Sequence, residues 1–274
     1  MKKNACLGGE CKIIRKMQIH HEAPADVTKY MELHRNIALE EKIPQFEGLL
    51  RPIRRFKEIT PETKILEVGT GSGWFPILCQ LRGLQCKGLE ISPQLIEFAK
   101  EVGNGYGIIP DIELGNLEDY ALPENHYDIV VASSVFEHVE DWRTGIRKLY
   151  TTLKTGGLLL FESTNKFSFS SGEYPSFPLY GWMPNSWRYN FRKAIQGDDI
   201  MKLGIDFHQF THSCLRKEFE RTGFRHVLDR VQMADENNVS TSFRRRVVQI
   251  AKQFPPVRAF ALTFAEATRF ICLK

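Results

Sequence analysis

The stretch Glu67-Val68-Gly69-Thr70-Gly71-Ser72-Gly73 decides the fold of this 274-residue chain. It ends a short apolar run, 64–68, that reads as a buried strand, and it precedes 74–82, which reads as a helix. Glycines directly after a buried strand let the backbone turn tightly and approach a ligand closely. The helix that follows aims its first N–H groups at that ligand. The spacing is G-x-G-x-G, with Trp74 where the dinucleotide fingerprint G-x-G-x-x-G wants its third glycine. Glu67 lies two positions before the first glycine, where a carboxylate suits an ammonium group better than a pyrophosphate. A second strand, 85–89, runs into Glu90, 21 residues after Gly69, placed to accept both hydroxyls of a ribose. One end of the site therefore suits an amino acid and the other a nucleoside. The plainer alternatives are a tight turn without a ligand for the glycines and a solvated strand end for Glu90.

Strand–helix alternation continues outward. Ser92-Pro93 opens a helix with an N-cap and a proline at its first position, and Gly103 is expected to end it. Further strands are expected over 109–113, 127–132 and 158–162, with a helix over 141–153 and a turn at Lys154-Thr155-Gly156-Gly157. A capped helix over 213–222, ended by Gly223, comes before two last strands, 224–231 and 268–274. Ahead of the glycine turn, residues 27–56 carry Tyr30, Leu33, Ile37, Ile43, Phe46, Leu49 and Ile53 at near-helical spacing, broken at Pro44 and Pro52. The repeated βα units predict an α/β fold: a Rossmann-like, doubly wound, seven-stranded and mostly parallel sheet. The expected organisation is a helical N-terminal segment (1–60), a ligand-binding core (61–165), an inserted aromatic-rich cap (166–210) and the C-terminal part of the core (211–274).

Composition excludes several classes. Hydrophobic residues make up 42% and charged residues 26%, as in an ordinary globular protein. A net charge of +4 and a pI of about 8.7 are too mild to imply nucleic acid. No apolar run approaches the roughly 18–20 residues that cross a bilayer. Met1-Lys2-Lys3 is not followed by an apolar signal segment, so a cytoplasmic location is expected. The six cysteines, Cys6, Cys11, Cys79, Cys86, Cys214 and Cys272, form no Cys-x-x-Cys pair and read as reduced thiols. Cys6 and Cys11 bracket Gly8-Gly9, which leaves a labile disulfide or stray metal site open there.

The pattern E-x-G-x-G-x-G, followed by an acidic residue at the next strand end, resembles the class I S-adenosylmethionine-dependent methyltransferases. Gly115-Asn116-Leu117-Glu118-Asp119 before Leu122-Pro123 resembles that family's adenine segment, with Asn116 where an aspartate is usual. Residues 131–139, V-A-S-S-V-F-E-H-V, resemble its fourth-strand motif, and Leu153-Lys154-Thr155-Gly156-Gly157 its L-K-P-G-G turn. The resemblance covers 62–165 and, more weakly, 206–232. It implies S-adenosylmethionine as cofactor, held by Glu67, Gly69, Thr70, Gly71, Gly73, Glu90, Ile91, Asn116, Leu117 and Ser133. Ile91 as a core isoleucine and Asn116 as a turn residue are the bland alternatives. Tyr30 and Arg35 of the N-terminal segment are further guesses for contacts.

Methyl transfer to oxygen needs an in-line nucleophile, excluded water and a base or metal to take up the hydroxyl proton. His138, just after the fourth strand, is the first candidate. Ser-x-Phe-Glu-His-Val resembles the ubiquinone-biosynthesis O-methyltransferases, in which two carboxylates and this histidine are proposed metal ligands. Here Glu137 and His138 match, but Ser134 replaces the earlier carboxylate, and no metal is expected. The second candidate is the segment 205–212, where Asp206 is placed to orient His208 as a base. A solvated, helix-capping loop is the alternative. The insertion, with Phe167, Phe169, Tyr174, Phe177, Tyr180, Trp182, Trp187, Tyr189 and Phe191, reads as a pocket wall or as the lid's own core. Arg188, Arg192 and Lys193 are placed to meet an anionic group. A small-molecule acceptor is expected: a quinone precursor, a lipid-linked intermediate, a sugar or another secondary metabolite, methylated on oxygen or, alternatively, on nitrogen or carbon.

Residues 239–258 place Val239, Phe243, Val247, Ile250 and Phe254 on one helical face, amid Arg244, Arg245, Arg246, Lys252 and Arg258. An ordinary surface helix packed on the sheet edge is the plainer reading, and an interfacial helix in peripheral contact with an anionic membrane is the other. Apolar character continues from Ala259 to Phe264 into the last strand. Competing functions are an NAD-dependent oxidoreductase, which the glycine spacing and Glu67 disfavour, and a non-catalytic cofactor-binding protein on the same fold. Methylation of nucleic acid is disfavoured by the mild charge and by Ser133-Ser134-Val135-Phe136 where a base-flipping motif would stand.

Overall fold

The computed structural model describes residues 27–169, 179–196, 208–235 and 241–274. Its centre is a seven-stranded sheet in the order β3-β2-β1-β4-β5-β7-β6. The strands are β1 (Lys64–Val68), β2 (Gln85–Glu90), β3 (Ile112–Leu114), β4 (Tyr127–Ser133), β5 (Leu153–Thr164), β6 (His226–Asp229) and β7 (Ala267–Leu273). The first five run parallel, and β7 is antiparallel to both β5 and β6. The chain order reverses between β1 and β4, the place where open α/β sheets hold ligands beyond their strand ends.

The two-residue period of the strands sorts the core into two layers. Leu66, Val68, Val130, Ala132 and Phe161 pack under α5 (Trp142–Thr152) and α7 (His212–Thr222). Ile65, Ile129, Val131, Leu158 and Leu160 pack under α2 (Ile43–Arg54) and α3 (Trp74–Leu81). Fully buried Phe46, Phe75, Phe136, Phe161 and Phe219 each contribute roughly 1.5–3 kcal/mol by leaving water. Ahead of the sheet stands α1 (Thr28–Arg35), and α4 (Pro93–Asn104) joins β2 to β3.

Local chemistry moves several boundaries. Gly103 lies in the last turn of α4, which ends one residue later at Asn104, and a Cβ there would stand 2.6 Å from the Ile108 carbonyl oxygen of the returning chain. Strand β3 begins at Ile112 rather than 109, beyond Pro110, whose ring nitrogen has no hydrogen to give a neighbouring strand. Pro44 sits at the start of α2, and Pro52 lies in its last turn without breaking it. The expected turn at 154–157 is a bulge within β5: Tyr127 pairs with Leu153 and Ile129 with Leu158, and Gly156 takes φ +72°.

The expected amphipathic helix over 239–258 is two helices, α8 (Ser242–Gln253) and α9 (Pro255–Thr263). Pro255 removes the N–H that a continuous helix needs. The apolar run after Ala259 is therefore helical until Thr263, not an extension of β7. Val239 and the Phe243 side chain lie outside the described residues. The insertion supplies α6 (Asn185–Gln196), and among the described residues no helix is long and apolar enough to cross a membrane.

Candidate active site

Three glycines make the turn after β1. Gly69, Gly71 and Gly73 have φ of +72°, +58° and +75°, a region that L side chains enter at a cost. Space is equally restrictive. A Cβ on Gly69 would lie 2.5 Å from Val135 Cγ2, and one on Gly73 2.5 Å from Ala99 Cβ of α4. The chain after β4 and helix α4 thus close on the turn because nothing projects from it. Thr70 is buried, with its hydroxyl toward the Leu89 carbonyl, so its side chain braces the turn against β2.

Two buried carboxylates end the adjacent strands β1 and β2. Glu67 faces α3, its Oε2 is sealed from water without a hydrogen-bond partner, and burial foremost, with Cys79 and Glu90 nearby, pushes its pKa well up. A buried carboxylate oxygen without a donor is costly unless a ligand supplies one. Glu90 Oε2 accepts from Gly71 N at 2.7 Å, and its Oε1 accepts from Ile91 N and Ser92 N, both at 3.0 Å. Of its roughly four lone-pair sites, one stays open for a hydroxyl while all three amides remain bound. Burial raises its pKa against the pull of these hydrogen bonds.

The other expected cofactor residues divide. Ile91 is 40% exposed at the mouth rather than in the core. Asn116 Oδ1 accepts from Glu118 N at 3.0 Å, so its amide shapes the turn while Nδ2 remains to donate. The Leu117 side chain is buried in the core beneath Phe136, which leaves only its backbone to face a ligand. Ser133 ends β4 opposite Glu162. Ser134 follows with φ +54°, a costly conformation for a non-glycine residue, and aims the chain toward His138.

Tyr30 and Ser72 complete the turn from outside. The Tyr30 hydroxyl stands 2.7 Å from where a Cβ of Gly71 would be and hydrogen-bonds Ser72, and burial foremost raises its pKa. Its ring stacks on His34 with centroids 3.9 Å apart. Arg35, the other guess, pairs with Glu101 at 3.3 Å on the outer side of α4. Sequence reasoning left Ser72 and Val135 out, since both act through contacts distant in sequence.

At the far side, Phe136–His138 form a short 3₁₀ turn. Glu137 is buried and accepts from Ser163 Oγ at 2.6 Å, a pairing that no local signal shows. His208 reaches the same segment: its N–H donates to Glu137 O at 3.2 Å, and its ring Nε2 lies 2.9 Å from Glu140 O. A carbonyl accepts only, so Nε2 carries the hydrogen and Nδ1 the lone pair. Burial foremost lowers the His208 pKa. Asp206, its expected partner, lies outside the described residues, as do Tyr174, Phe177 and the Tyr189, Arg192 and Lys193 side chains. Arg188 is buried over the Tyr180 ring at 5.7 Å rather than open to an anion.

Residues 66–161 match a model described as a methyltransferase domain. This segment is a methyltransferase domain. Curated relatives match the domain and its surroundings. A ubiquinone biosynthesis O-methyltransferase of Marinobacter nauticus is 25% identical over 160 residues, 54% of this chain and 66% of that one. A malonyl-[acyl-carrier protein] O-methyltransferase of Serratia marcescens is 26% identical over 103 residues, 38% of this chain and 39% of that one. The matches thus span between two fifths and two thirds of these relatives' own length. Among solved structures, a SAM-dependent methyltransferase from Archaeoglobus fulgidus superposes with TM-score 0.53 at 17% identity, covering 90% of this chain and 100% of that one. A Haemonchus contortus phosphoethanolamine N-methyltransferase 2 in complex with S-adenosyl-L-methionine gives 0.54 at 15% identity, over 85% of this chain and 53% of that one. At such identities the structures establish the methyltransferase domain's fold.

Proposed function

We propose that this protein moves a methyl group from S-adenosylmethionine to an oxygen of a small molecule. The observation that carries the reading is the pair of buried carboxylates, Glu67 and Glu90, on either side of a turn that tolerates no Cβ. Glu67 Oε2, without a partner, suits the ammonium of the cofactor's amino-acid end. The open lone pair of Glu90 suits a ribose hydroxyl, and a second hydroxyl there displaces the Gly71 amide. Exposed Ile91 offers an apolar face to a flat base, and Asn116 Nδ2 and the Leu117 amide offer donors to its edge. Tyr30, already over Gly71, keeps water from the sulfonium side.

Bound there, the cofactor supplies an electrophilic methyl on a sulfonium. The chain's part is to orient the acceptor and take its proton. His208 is the base best supported, because its hydrogen is held on Nε2 and its lowered pKa keeps Nδ1 unprotonated near neutral pH. Asp206 is the residue proposed to orient it. His138, in the 3₁₀ turn after β4, is proposed as the second base. The relatives' printed names, both O-methyltransferases, support oxygen over nitrogen or carbon as the acceptor atom.

Incubation of cell extract with the purified protein and methyl-labelled S-adenosylmethionine tests this. The expected outcome is a small molecule heavier than its precursor by one CH₂, about 14 Da plus the mass added by the label, with the methyl on oxygen by fragmentation. Label on nitrogen or carbon overturns the oxygen assignment. Cofactor binding without any labelled product favours a non-catalytic role.

A further inference from the structure

Helices α8 and α9 have their apolar side turned the wrong way for an ordinary surface hairpin. Such helices bury an apolar stripe and expose charge. Here Ala251 and Leu262 are buried against Val231, whereas Val247, Ile250, Phe254, Val257 and Phe260 face solvent. Phe254 and Phe260 are 56% and 68% exposed. The polar ties run inward instead. Asn165 Nδ2 donates to the carbonyls of Leu262, Thr263 and Ala265 at 3.1, 3.0 and 2.6 Å. Lys252 Nζ donates to Ala234 O, and Arg258 lies 3.8 Å from buried Asp229. The hairpin is thus pinned to the body by polar groups, with its greasy side out.

That side continues onto the cap. Phe264 stacks on Phe169 at 5.0 Å and on Trp182 at 6.0 Å, and Phe260 packs on Phe264 at 4.8 Å. Phe169, Trp182 and Trp187 are themselves exposed. Ala267, which follows the hairpin, pairs with Thr164 at the carboxyl end of β5, the end at which the candidate active site opens. Contiguous exposed apolar surface of this kind marks an interaction site.

Charge tells what covers it. Residues 242–263 contain five basic side chains and no acidic one, and of the five only Lys252 and Arg258 are tied inward among the described side chains. Arg245 and Arg246 are exposed, and Arg246 flanks Ile250 one helical turn on. Tryptophan and phenylalanine beside arginine on a helical face suit the boundary between acyl chains and anionic headgroups. A self-complementary dimer would instead bring these like charges together.

We propose that the α8–α9 hairpin, with the adjoining cap aromatics, docks on an anionic phospholipid bilayer. Binding is independent of the reaction proposed above, and its test needs no turnover. The full chain is sedimented with vesicles of phosphatidylcholine alone or mixed with phosphatidylglycerol. The expected result is binding to the mixed vesicles only, weakened by added salt. Arg245→Glu with Arg246→Glu lowers it on the order of tenfold or more, and Phe254→Ser with Phe260→Ser lowers it similarly. Both double variants keep the affinity for S-adenosylhomocysteine if the parent has it, and the parent's thermal unfolding in any case, which separates docking from folding. No binding to mixed vesicles, equal binding to neutral ones, or indifference to charge reversal overturns the proposal. So does a dimer in analytical ultracentrifugation that the Phe254→Ser, Phe260→Ser variant disperses.

Discussion

The glycine turn after β1 and the aromatic shelf beyond β5 lie at one end of the sheet but are held by different means. At the turn, three residues with positive φ, two strand-end carboxylates and three backbone amides are fixed by contacts within the core. At the shelf, single helices hang on a few polar ties, and large side chains stand in solvent. Nearly every atom of the first region is already committed, so it can accept one kind of ligand. The second region leaves its surface uncommitted, which suits an acceptor or a lipid boundary of variable shape. The difference teaches that the turn takes its shape from backbone geometry and strand-end groups, whereas the shelf takes its character from exposed side chains.

Gly69→Val breaks the first region most severely. It adds a clash with Val135 to the strain of φ +72°, and the affinity for S-adenosylhomocysteine by calorimetry falls on the order of 100-fold or more. Glu90→Ala is next. It removes the acceptor that holds Gly71 and that is proposed to meet the ribose, and it is expected to weaken the same affinity by roughly ten- to 100-fold.

His212, the buried first residue of α7, is a weak point of another kind. Neither ring nitrogen has a partner of normal hydrogen-bond geometry, and burial foremost lowers its pKa to about 4. A histidine with a depressed folded pKa is protonated more readily when unfolded. Its stabilising effect is therefore present above about pH 6.5 and is lost as pH falls toward 4. Denaturant titrations at pH 7.5 and pH 5 are expected to differ by about 2 kcal/mol from this group, and His212→Phe removes that difference.

Smaller effects sharpen the contrast. With His208 as the proposed base, burial's lowering of its pKa puts the acid limb of the rate profile below the ordinary histidine value of about 6.5, and His208→Asn removes that limb from the residual rate. Phe254→Ser and Phe260→Ser, in contrast, leave cofactor affinity within about twofold, because exposed positions rarely change stability by more than about 0.5 kcal/mol.

The same division decides what can be read from the chain. The turn was legible because Gly69, Gly71 and Gly73 answer a local demand for positive φ, and Glu67 and Glu90 stand at fixed offsets from it. Strand positions followed from apolar runs, and β3 was misplaced only where Pro110 removes an amide. Tyr30 with Ser72, and Glu137 with Ser163, meet across the fold and leave no mark on spacing. Leu117 is subtler: its side chain is buried in the same core cluster as Phe136, so only its backbone is proposed to face the ligand. The tail shows the limit most clearly. Helical periodicity puts Val247, Ile250 and Phe254 on one face, but only the polar ties of Asn165, Lys252 and Arg258 turn that face outward.

Glu67 and Glu90 are proposed to frame a site for a nucleoside joined to an amino acid. Calorimetric titration of the protein with S-adenosylhomocysteine and, separately, with NAD decides this. One-site binding of S-adenosylhomocysteine, weakened in Glu90→Ala, and no binding of NAD are expected. Binding of NAD with equal or greater affinity, or S-adenosylhomocysteine binding that Glu90→Ala leaves unchanged, would contradict it.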